Sequence, residues 1–154
     1  MEIVEKEVLS LEQKEALCQL WNNEYPEKLS YKKTEEFDIY LNSLLNIKHY
    51  LLIDDANEIK GWAFTFLRED EVWFAIIIDD QIQGKGKGSL LLKELKKRKN
   101  NLNGWVVDHE NDIKKNKEPY KSPLLFYIKN GFSICNGTRI ENKKISAVKI
   151  NWKR

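Results

Sequence analysis

The sequence has few of the residues that mark metal-binding, redox or secreted proteins. Its 154 residues include only two cysteines, two histidines, one methionine and three prolines. Cys18 and Cys135 are isolated, no CxxC pair occurs, and His49 and His109 have no metal-ligand spacing. We therefore expect no metal site, and we interpret both cysteines as packing residues that stay free thiols in a reducing cytoplasm.

Long apolar runs and an excess of charge of one sign are also missing. No apolar run approaches the ~20 residues of a membrane span, and residues 1–7 lack the basic-then-apolar layout of a signal peptide. The 26 basic and 24 acidic residues give a net charge of +2, which does not indicate a nucleic-acid binder. Length and composition predict one cytoplasmic globular domain over residues 1–154, with neither a nucleic acid nor a membrane as partner.

Hydrophobic periodicity gives the element order β-α-α-β-β-β-α-β-α-β-β, which predicts a mixed α/β or α+β domain. The first helix is expected after the capping residue Ser10. The second helix is expected to begin near Thr34 and to carry apolar residues on one face as far as Leu45. An Asn136-Gly137 turn is expected to lead into the closing antiparallel strand pair.

The most informative segment covers residues 76–92. An apolar strand stops at two acidic residues, Gly84, Gly86 and Gly88 then alternate with lysines, and an apolar helical pattern follows. Glycine lets the backbone approach a ligand closely and adopt angles that a Cβ forbids. The first turn of a helix adds unpaired N–H groups and the positive end of the macrodipole. Together these features predict a binding site for a phosphate or pyrophosphate group.

Two common phosphate-binding loops fit this segment less well. A P-loop requires lysine directly after its last glycine, but Ser89 follows Gly88. A dinucleotide fingerprint fits Gly84 and Gly86, with Asp108 placed as the ribose-binding acid. The chain after Asp108 holds only one helix and a hairpin, whereas a doubly wound domain needs further βαβ units. An NAD-binding oxidoreductase fragment is therefore the weaker alternative.

Residues 81–88, with Gln81, Gln83 and the three glycines, resemble the acetyl-CoA pyrophosphate loop of the GNAT N-acetyltransferases, Q/R-x-x-G-x-G/A. Residues 124–132 resemble the later family signature F-Y-x-K-x-G-F, and residues 76–80 resemble the family's central strand and its exit. The resemblance extends from about residue 2 to the C-terminus. It implies a mixed α/β GNAT-like fold, with a mostly antiparallel twisted sheet of about six to seven strands, splayed at its centre and flanked by about four helices.

The resemblance also implies acetyl-CoA as cosubstrate. The loop N–H groups would hold the pyrophosphate, the Ser89 hydroxyl would assist, and edge groups of the central strand would pair with the pantetheine arm at a bulge. Lys85, Lys87 and Lys93 would attract the polyanion. The expected cofactor-binding residues are Ile76, Ile78, Gln83, Gly84, Lys85, Gly86, Lys87, Gly88 and Ser89.

Tyr127 matches the family tyrosine that protonates the departing thiolate, a task suited to a phenol with a pKa near ~10. The general base is expected at the start of the central strand, at Asp70 or Glu71, with Asp108, His109 and ordered water as the alternatives. A backbone N–H near Ile78 would polarise the thioester carbonyl. The acetyl group would then pass directly from acetyl-CoA to a primary amine without a metal or an acyl-enzyme.

The acceptor is less defined, because small-molecule amines and peptide amines both fit. The first two helices usually shape the acceptor site in this family. Aromatic and acidic side chains there would suit a cationic amine. The expected aromatic residues are Trp21, Tyr25 and Tyr31, and the expected acids are Glu24, Glu27, Glu35 and Glu36. Asp108 and His109, at the end of the strand predicted over residues 104–108, are expected to line the same site.

The chain departs from the family pattern at Tyr120, where the family often carries an asparagine that contacts CoA.

Two further expectations concern the role and the assembly of the protein. A non-catalytic acyl-CoA sensor or interaction module on the same fold is the second alternative. The final strand, 145–152, often joins a partner subunit in this family, which here would form a homodimer.

Overall fold

The computed structural model describes residues 1–154 and confirms the predicted order of elements. The strands are β1 (Glu2–Lys6), β2 (Leu45–Ile53), β3 (Ile59–Arg68), β4 (Glu71–Ile78), β5 (Asn101–Val106), β6 (Ser133–Glu141) and β7 (Ser146–Lys153). The helices are α1 (Leu11–Glu24), α2 (Thr34–Asn42), α3 (Lys87–Arg98) and α4 (Leu124–Lys129), with short 3₁₀ turns at Glu27–Leu29 and Asp80–Ile82.

All seven strands form one sheet in the order β1-β2-β3-β4-β5-β7-β6. Every neighbouring pair is antiparallel except β4 and β5, which are parallel and bridged only between Trp73 and Asn103. Beyond this bridge the two central strands diverge, as predicted. A doubly wound dinucleotide-binding domain needs a mostly parallel sheet, so this sheet does not fit the weaker NAD-binding alternative.

Two buried clusters lie on opposite faces of the sheet because side chains alternate along each strand. On β3, Trp62 packs in one cluster with α1 and α2, whereas Ala63 packs in the other with α3 and α4. Leu17 and Leu91, both without exposed surface, anchor the two helical layers. Each fully buried large apolar side chain contributes roughly 1.5–3 kcal/mol, so these clusters hold the helices against the sheet.

Chain reversals differ from the prediction in two places. Helix α2 ends at Asn42, and Asn46 at φ 54° lies where β2 shifts register against β3, so Leu45 belongs to the strand. Asn136 and Gly137 lie inside β6, where the register with β7 shifts. The chain turns instead at 142–145, where the Asn142 side chain accepts the N–H groups of the two residues before β7.

One expectation drawn from the resemblance also differs. The β3–β4 register runs unbroken from Gly61 and Ile78 to Arg68 and Glu71, so β4 opens without the expected bulge. Strand β7 lies between β5 and β6, so it has no free edge for a partner's strand. Both edges of β7 are thus paired within one chain, and the predicted homodimer through residues 145–152 stays a prediction. No helix of the chain is both long enough and apolar enough to span a bilayer.

Candidate functional site

Two cavities meet where β4 and β5 diverge. The glycine-loop cleft, of about 490 Å³, is bordered by β4, the loop 79–86, α3 and α4. The aromatic cavity, of about 320 Å³, is bordered by β3, β4, β5 and the segment after α1. Five residues line both of them, namely Tyr25, Ile76, Tyr120, Pro123 and Tyr127.

The open edge of β4 faces this junction. Directly after β4, the Asp79 N–H donates to the carbonyl of Lys60 on β3 at 2.9 Å. The register of β3 and β4 continues this pattern back along β4, so its odd-numbered residues form the hydrogen bonds to β3. In an antiparallel pair the intervening residues direct their N–H and C=O groups the other way. Because β5 has diverged past Trp73, the peptide groups of Ile76 and Ile78 face the glycine-loop cleft without a strand partner.

Side-chain hydrogen bonds confirm this orientation of β4. At Val72, before the strands part, the N–H donates to Asn101 Oδ1 at 3.2 Å and the carbonyl accepts from Asn103 Nδ2 at 3.1 Å, both on β5. At the other end, the Ile78 carbonyl accepts from Gln83 Nε2 at 2.8 Å. Side chains therefore satisfy both peptide groups of Val72 and the carbonyl of Ile78, but no side chain bonds to Ile76 or to the Ile78 N–H.

The glycines of the loop serve different purposes. Gly84 and Gly86 have φ of 75° and 78°, and a Cβ on either would meet only open space. They are needed for the left-handed backbone, which L side chains rarely adopt. A Cβ on Gly88 would lie 3.2 Å from Phe126 Cζ, so Gly88 permits the close packing of α3 on α4. Helix α3 begins after Gly86 without a side-chain cap, which leaves the N–H groups of its first turn free.

Positive charge dominates the glycine-loop cleft. Lys87, Lys121 and Lys129 line it, and no carboxylate lies within ion-pair distance of any of them. The only acid in the lining, Glu24, accepts from Lys114 Nζ at 3.2 Å and from the Asp80 N–H at 3.0 Å. Burial raises the pKa of Glu24 despite these bonds. The free charges of the cleft are thus those that attract an anion.

Tyr127 lies between the two cavities on the short helix α4. Only 7% of it is exposed, and its ring contacts Phe74, Phe126 and Phe132 edge-on or tilted at centroid distances of 5.0 to 5.6 Å. Burial raises its pKa well above the usual value for a phenol. Its hydroxyl therefore keeps its proton at neutral pH and is a weaker acid than the unperturbed phenol on which its predicted role was based. It makes no hydrogen bond to another residue of the chain.

The aromatic cavity has a different chemistry. Trp21 lies at its centre, with ring contacts to Tyr25, Tyr31 and Tyr40 at 4.6, 5.7 and 5.5 Å. Burial raises the pKa of Tyr31 to about 12, so that hydroxyl is neutral as well. Arg68 is the only charged residue in the lining, and no acid is present. The predicted acidic half of the acceptor site is therefore absent from this cavity.

A roof formed by residues 107–123 closes the aromatic cavity on one side. Three ion pairs fasten it to the end of α1 and the turn after it: Glu24 with Lys114 at 3.2 Å, Glu27 with Lys117 at 2.9 Å, and Asp112 with Lys28 at 2.9 Å. The roof places Tyr120 and Pro123 over the junction. In the sequence, Tyr120 stood out only because the family often has an asparagine at this position. The sequence did not predict that Tyr120 lines both cavities.

The residues expected as general base lie elsewhere. Asp70 and Glu69 form the two-residue β3–β4 turn, with φ of 63° and 51°. Asp70 and Glu71 border a separate surface depression, and Glu71 pairs with Lys149 at 3.1 Å. Ile76 lies five positions after Glu71 on β4, which corresponds to about 16 Å along a strand. The structure does not bring these carboxylates to Tyr127.

The other predicted residues divide between the site and the surface. Trp21, Tyr25 and Tyr31 line the aromatic cavity, whereas Asp108 and His109 line neither cavity. Arg139 holds the Asp108 carboxylate with two bonds of 2.7 and 3.1 Å and lowers its pKa. All the residues expected to bind the cofactor line the glycine-loop cleft, except Lys85. Lys121 and Lys129 also line it, although the sequence did not predict them.

No family model and no curated protein matches this sequence. Solved structures match over almost the whole chain. An aminoglycoside 6'-N-acetyltransferase complexed with coenzyme A has a TM-score of 0.74 at 15% identity, covering 99% of this chain and 97% of its own. A GNAT superfamily phosphinothricin acetyltransferase from Sinorhizobium meliloti, complexed with AcCoA, has 0.68 at 11%, covering 99% and 89%.

The ribosomal-protein-S18-alanine N-acetyltransferase of Escherichia coli has a TM-score of 0.66 at 16% identity, covering 99% of this chain and 94% of its own. These three proteins differ in their acceptors but share one arrangement of strands and helices with this chain. Identities this low concern the fold, and the conclusion they support is that the chain has the fold of the GNAT N-acetyltransferases.

Proposed function

We propose that the protein transfers an acetyl group from acetyl-CoA to a primary amine. The observation that carries this proposal is the position of Tyr127. Its protonated and unbonded hydroxyl lies where a cationic, backbone-lined cleft meets an aromatic cavity. Bound coenzyme A and AcCoA in proteins of the same fold support the choice of cosubstrate.

The glycine-loop cleft offers the groups that acetyl-CoA needs. The free N–H groups of residues 84–89, which include the first turn of α3, would bind the pyrophosphate, whereas the Gln83 N–H already donates to the Asp80 carbonyl. Lys87, Lys121 and Lys129 would neutralise its charges, and the Ser89 hydroxyl would add a donor. The amides of the pantetheine arm would pair with the free edge at Ile76 and Ile78, as a strand does.

The acetyl group would move in one step between two bound substrates. The neutral amine attacks the thioester carbonyl carbon, a C–N bond forms, and the C–S bond breaks. A backbone N–H on the free edge, near Ile78, polarises the carbonyl oxygen. The leaving thiolate takes the Tyr127 proton, so the products are the N-acetyl amine and CoA. Much of the rate would come from holding both reactants in contact.

We propose that water removes the proton from the attacking amine. No carboxylate lines the aromatic cavity, and Glu24, the one acid in the neighbouring cleft, is bonded to Lys114. The same water can restore the proton of Tyr127 after each turnover, which balances the reaction.

Two measurements test the proposal. A thermal-shift titration compares acetyl-CoA, CoA, NADH and ATP, because a ligand that binds only the folded protein raises its Tm. We expect stabilisation by acetyl-CoA and CoA alone. A thiol-release assay with a broad amine panel then follows. Binding without release from any amine would support the sensor alternative, and stabilisation by NADH alone would overturn the proposal.

A further inference from the structure

The aromatic cavity is poorly suited to a polycation. Cation–π contacts alone would leave several positive charges without counter-charges, and the lining holds no carboxylate. Its one charged group is the guanidinium of Arg68, which would repel a polyamine or an aminoglycoside bound beside it. The chemistry of the lining therefore selects among the amines that the fold could serve.

Arg68 is an exposed residue at the rim of the cavity, and it is the one arginine of this chain that makes no ion pair or hydrogen bond. Arg98 pairs with Glu5, Arg139 with Asp108, and Arg154 donates to two backbone carbonyls. The guanidinium of Arg68 instead lies over two rings of the aromatic cavity. It is 5.1 Å from the centroid of Phe66 and 5.2 Å from that of Trp73.

A second donor without an acceptor lies in the same end of the cavity. The Trp73 indole N–H is buried and makes no hydrogen bond, and Trp73 itself is only 6% exposed. Buried donors without partners are few in folded proteins and call for an explanation. Tyr40 is nearby: burial raises the pKa of its hydroxyl, and the charge of Arg68 partly offsets that rise. Glu71, which lies opposite Arg68 in the strand pairing, is bound to Lys149, and the Trp73 N–H has no surface in the cavity. The free charge at this end of the cavity is therefore positive, which matches an anion.

The distance between this end and the junction limits the shape of the ligand. The Arg68 guanidinium lies beside Trp73, and Ile76 marks the junction three residues further along β4. Three strand residues span about 10 Å. An amine at the junction and an anion at Arg68 must therefore belong to opposite ends of one molecule, with an apolar body between them. The adjacent amine and carboxylate of an α-amino acid cannot reach both points.

We infer that the acceptor is an amine with an aromatic or otherwise apolar body and a carboxylate at its far end, which Arg68 binds. This inference rests on the proposed acetyl transfer and names the substrate class of the same site. The guanidinium would form a forked pair with the carboxylate. The rings of Trp21, Tyr31 and Trp105 would enclose the body, and the amine would project towards Tyr127.

The test uses 4-(2-aminoethyl)benzoate, whose amine and carboxylate lie at opposite ends of a benzene ring, its neutral methyl ester, and spermidine. We expect CoA release with the acid, a KM about tenfold higher for the ester, and least activity with spermidine. In Arg68→Gln the KM for the acid should rise about tenfold and equal that for the ester. Arg98→Gln, which removes a guanidinium stacked on Tyr50 outside both cavities, should retain the wild-type preference.

The outcomes separate the inference from the proposed function. Spermidine as the best acceptor, or equal KM values for acid and ester in the wild type, would overturn the inference and leave acetyl transfer standing. Acetyl-CoA binding without CoA release from any of the three amines or a wider panel would overturn the proposed function. An unchanged KM for the acid in Arg68→Gln, with an unaltered Tm, would remove Arg68 from acceptor binding.

Discussion

The glycine-loop cleft and the aromatic cavity are adjacent, but they are built in opposite ways. The cleft takes most of its polar groups from the backbone of one continuous segment, 76–89, with lysines around it. The cavity takes side chains from β3, β4, β5, α1, α2 and the roof. A ligand that is the same in many proteins can be held by backbone groups. A ligand that differs between proteins is selected by side chains that change without altering the fold.

The largest effect is expected at the residue that joins the two regions. Tyr127→Phe removes the proposed proton donor but keeps the ring that packs on Phe74 and Phe132. Turnover should fall by about 10²- to 10⁴-fold, the usual contribution of a general acid, while acetyl-CoA affinity stays the same. Steady-state kinetics and a binding titration measure the two quantities.

Tyr50→Phe is the matched control, since Tyr50 is as buried as Tyr127 but borders neither cavity. It should leave turnover unchanged. If Tyr127→Phe turned over at the wild-type rate, the proton donor would have to be another group. Tyr127 would then not connect the glycine-loop cleft with the aromatic cavity in the reaction.

The next effect concerns the cleft alone. Ser89→Glu puts a negative charge in the first turn of α3, where it stabilises the helix dipole but repels a pyrophosphate. Acetyl-CoA affinity should fall about 10- to 100-fold, from Coulomb repulsion at a partly exposed site. The Tm without ligand should stay the same or rise. A calorimetric titration measures the affinity and a thermal melt measures the Tm, and Ser89→Ala separates the loss of the hydroxyl from the added charge. A loss of affinity together with a lower Tm would point to misfolding instead.

A substitution in the aromatic cavity should change the binding of the acceptor and leave the binding of acetyl-CoA unaltered. Ala75 lines the aromatic cavity and not the glycine-loop cleft. Ala75→Leu fills part of that space, and overpacking of this kind costs about 1–3 kcal/mol. We expect a KM for the acceptor about tenfold higher with unchanged acetyl-CoA affinity, and nearly wild-type kinetics for Ala75→Ser. Weaker acetyl-CoA binding in Ala75→Leu would show that the two regions are not separable.

The smallest effect is expected far from both regions. Glu71→Gln breaks the pair with Lys149, and Asp70→Asn alters the β3–β4 turn. Turnover should change by less than about twofold, because exposed ion pairs contribute at most ~1 kcal/mol and neither carboxylate reaches the junction. A pH–rate profile is the measurement. A drop of about 100-fold with loss of the acidic limb would identify the altered carboxylate as the general base after all.

The same contrast explains what the sequence could predict. Gly84 and Gly86 occupy left-handed positions that glycine fills far more readily than other residues, so the loop carries a readable pattern. Tyr127 was predicted through the fixed neighbours of its helix. The order of elements followed from periodicity, because each strand and helix buries one face.

Other parts depended on contacts between distant segments. Arg68 and Tyr120 are unremarkable in sequence and acquire meaning only where β3 and the roof meet the same cavity. The turn at 142–145 competed with Asn136-Gly137, and the pairing of β6 with β7 decided between them. Asp70 and Glu71 were predicted from their place in the chain, but the register of β3 with β4 carries them away from the junction.

The shared rim of Tyr25, Ile76, Tyr120, Pro123 and Tyr127 has a consequence for inhibitor chemistry. Neither cysteine lines the cleft or the cavity, so no thiol there can store an acetyl group between two half-reactions. In the proposed direct transfer both substrates are bound at once, which predicts intersecting initial-rate plots rather than parallel ones. A bisubstrate analogue, in which CoA is tethered to the acceptor amine, would span the rim. Its second half would bind at the high effective concentration set by a short tether.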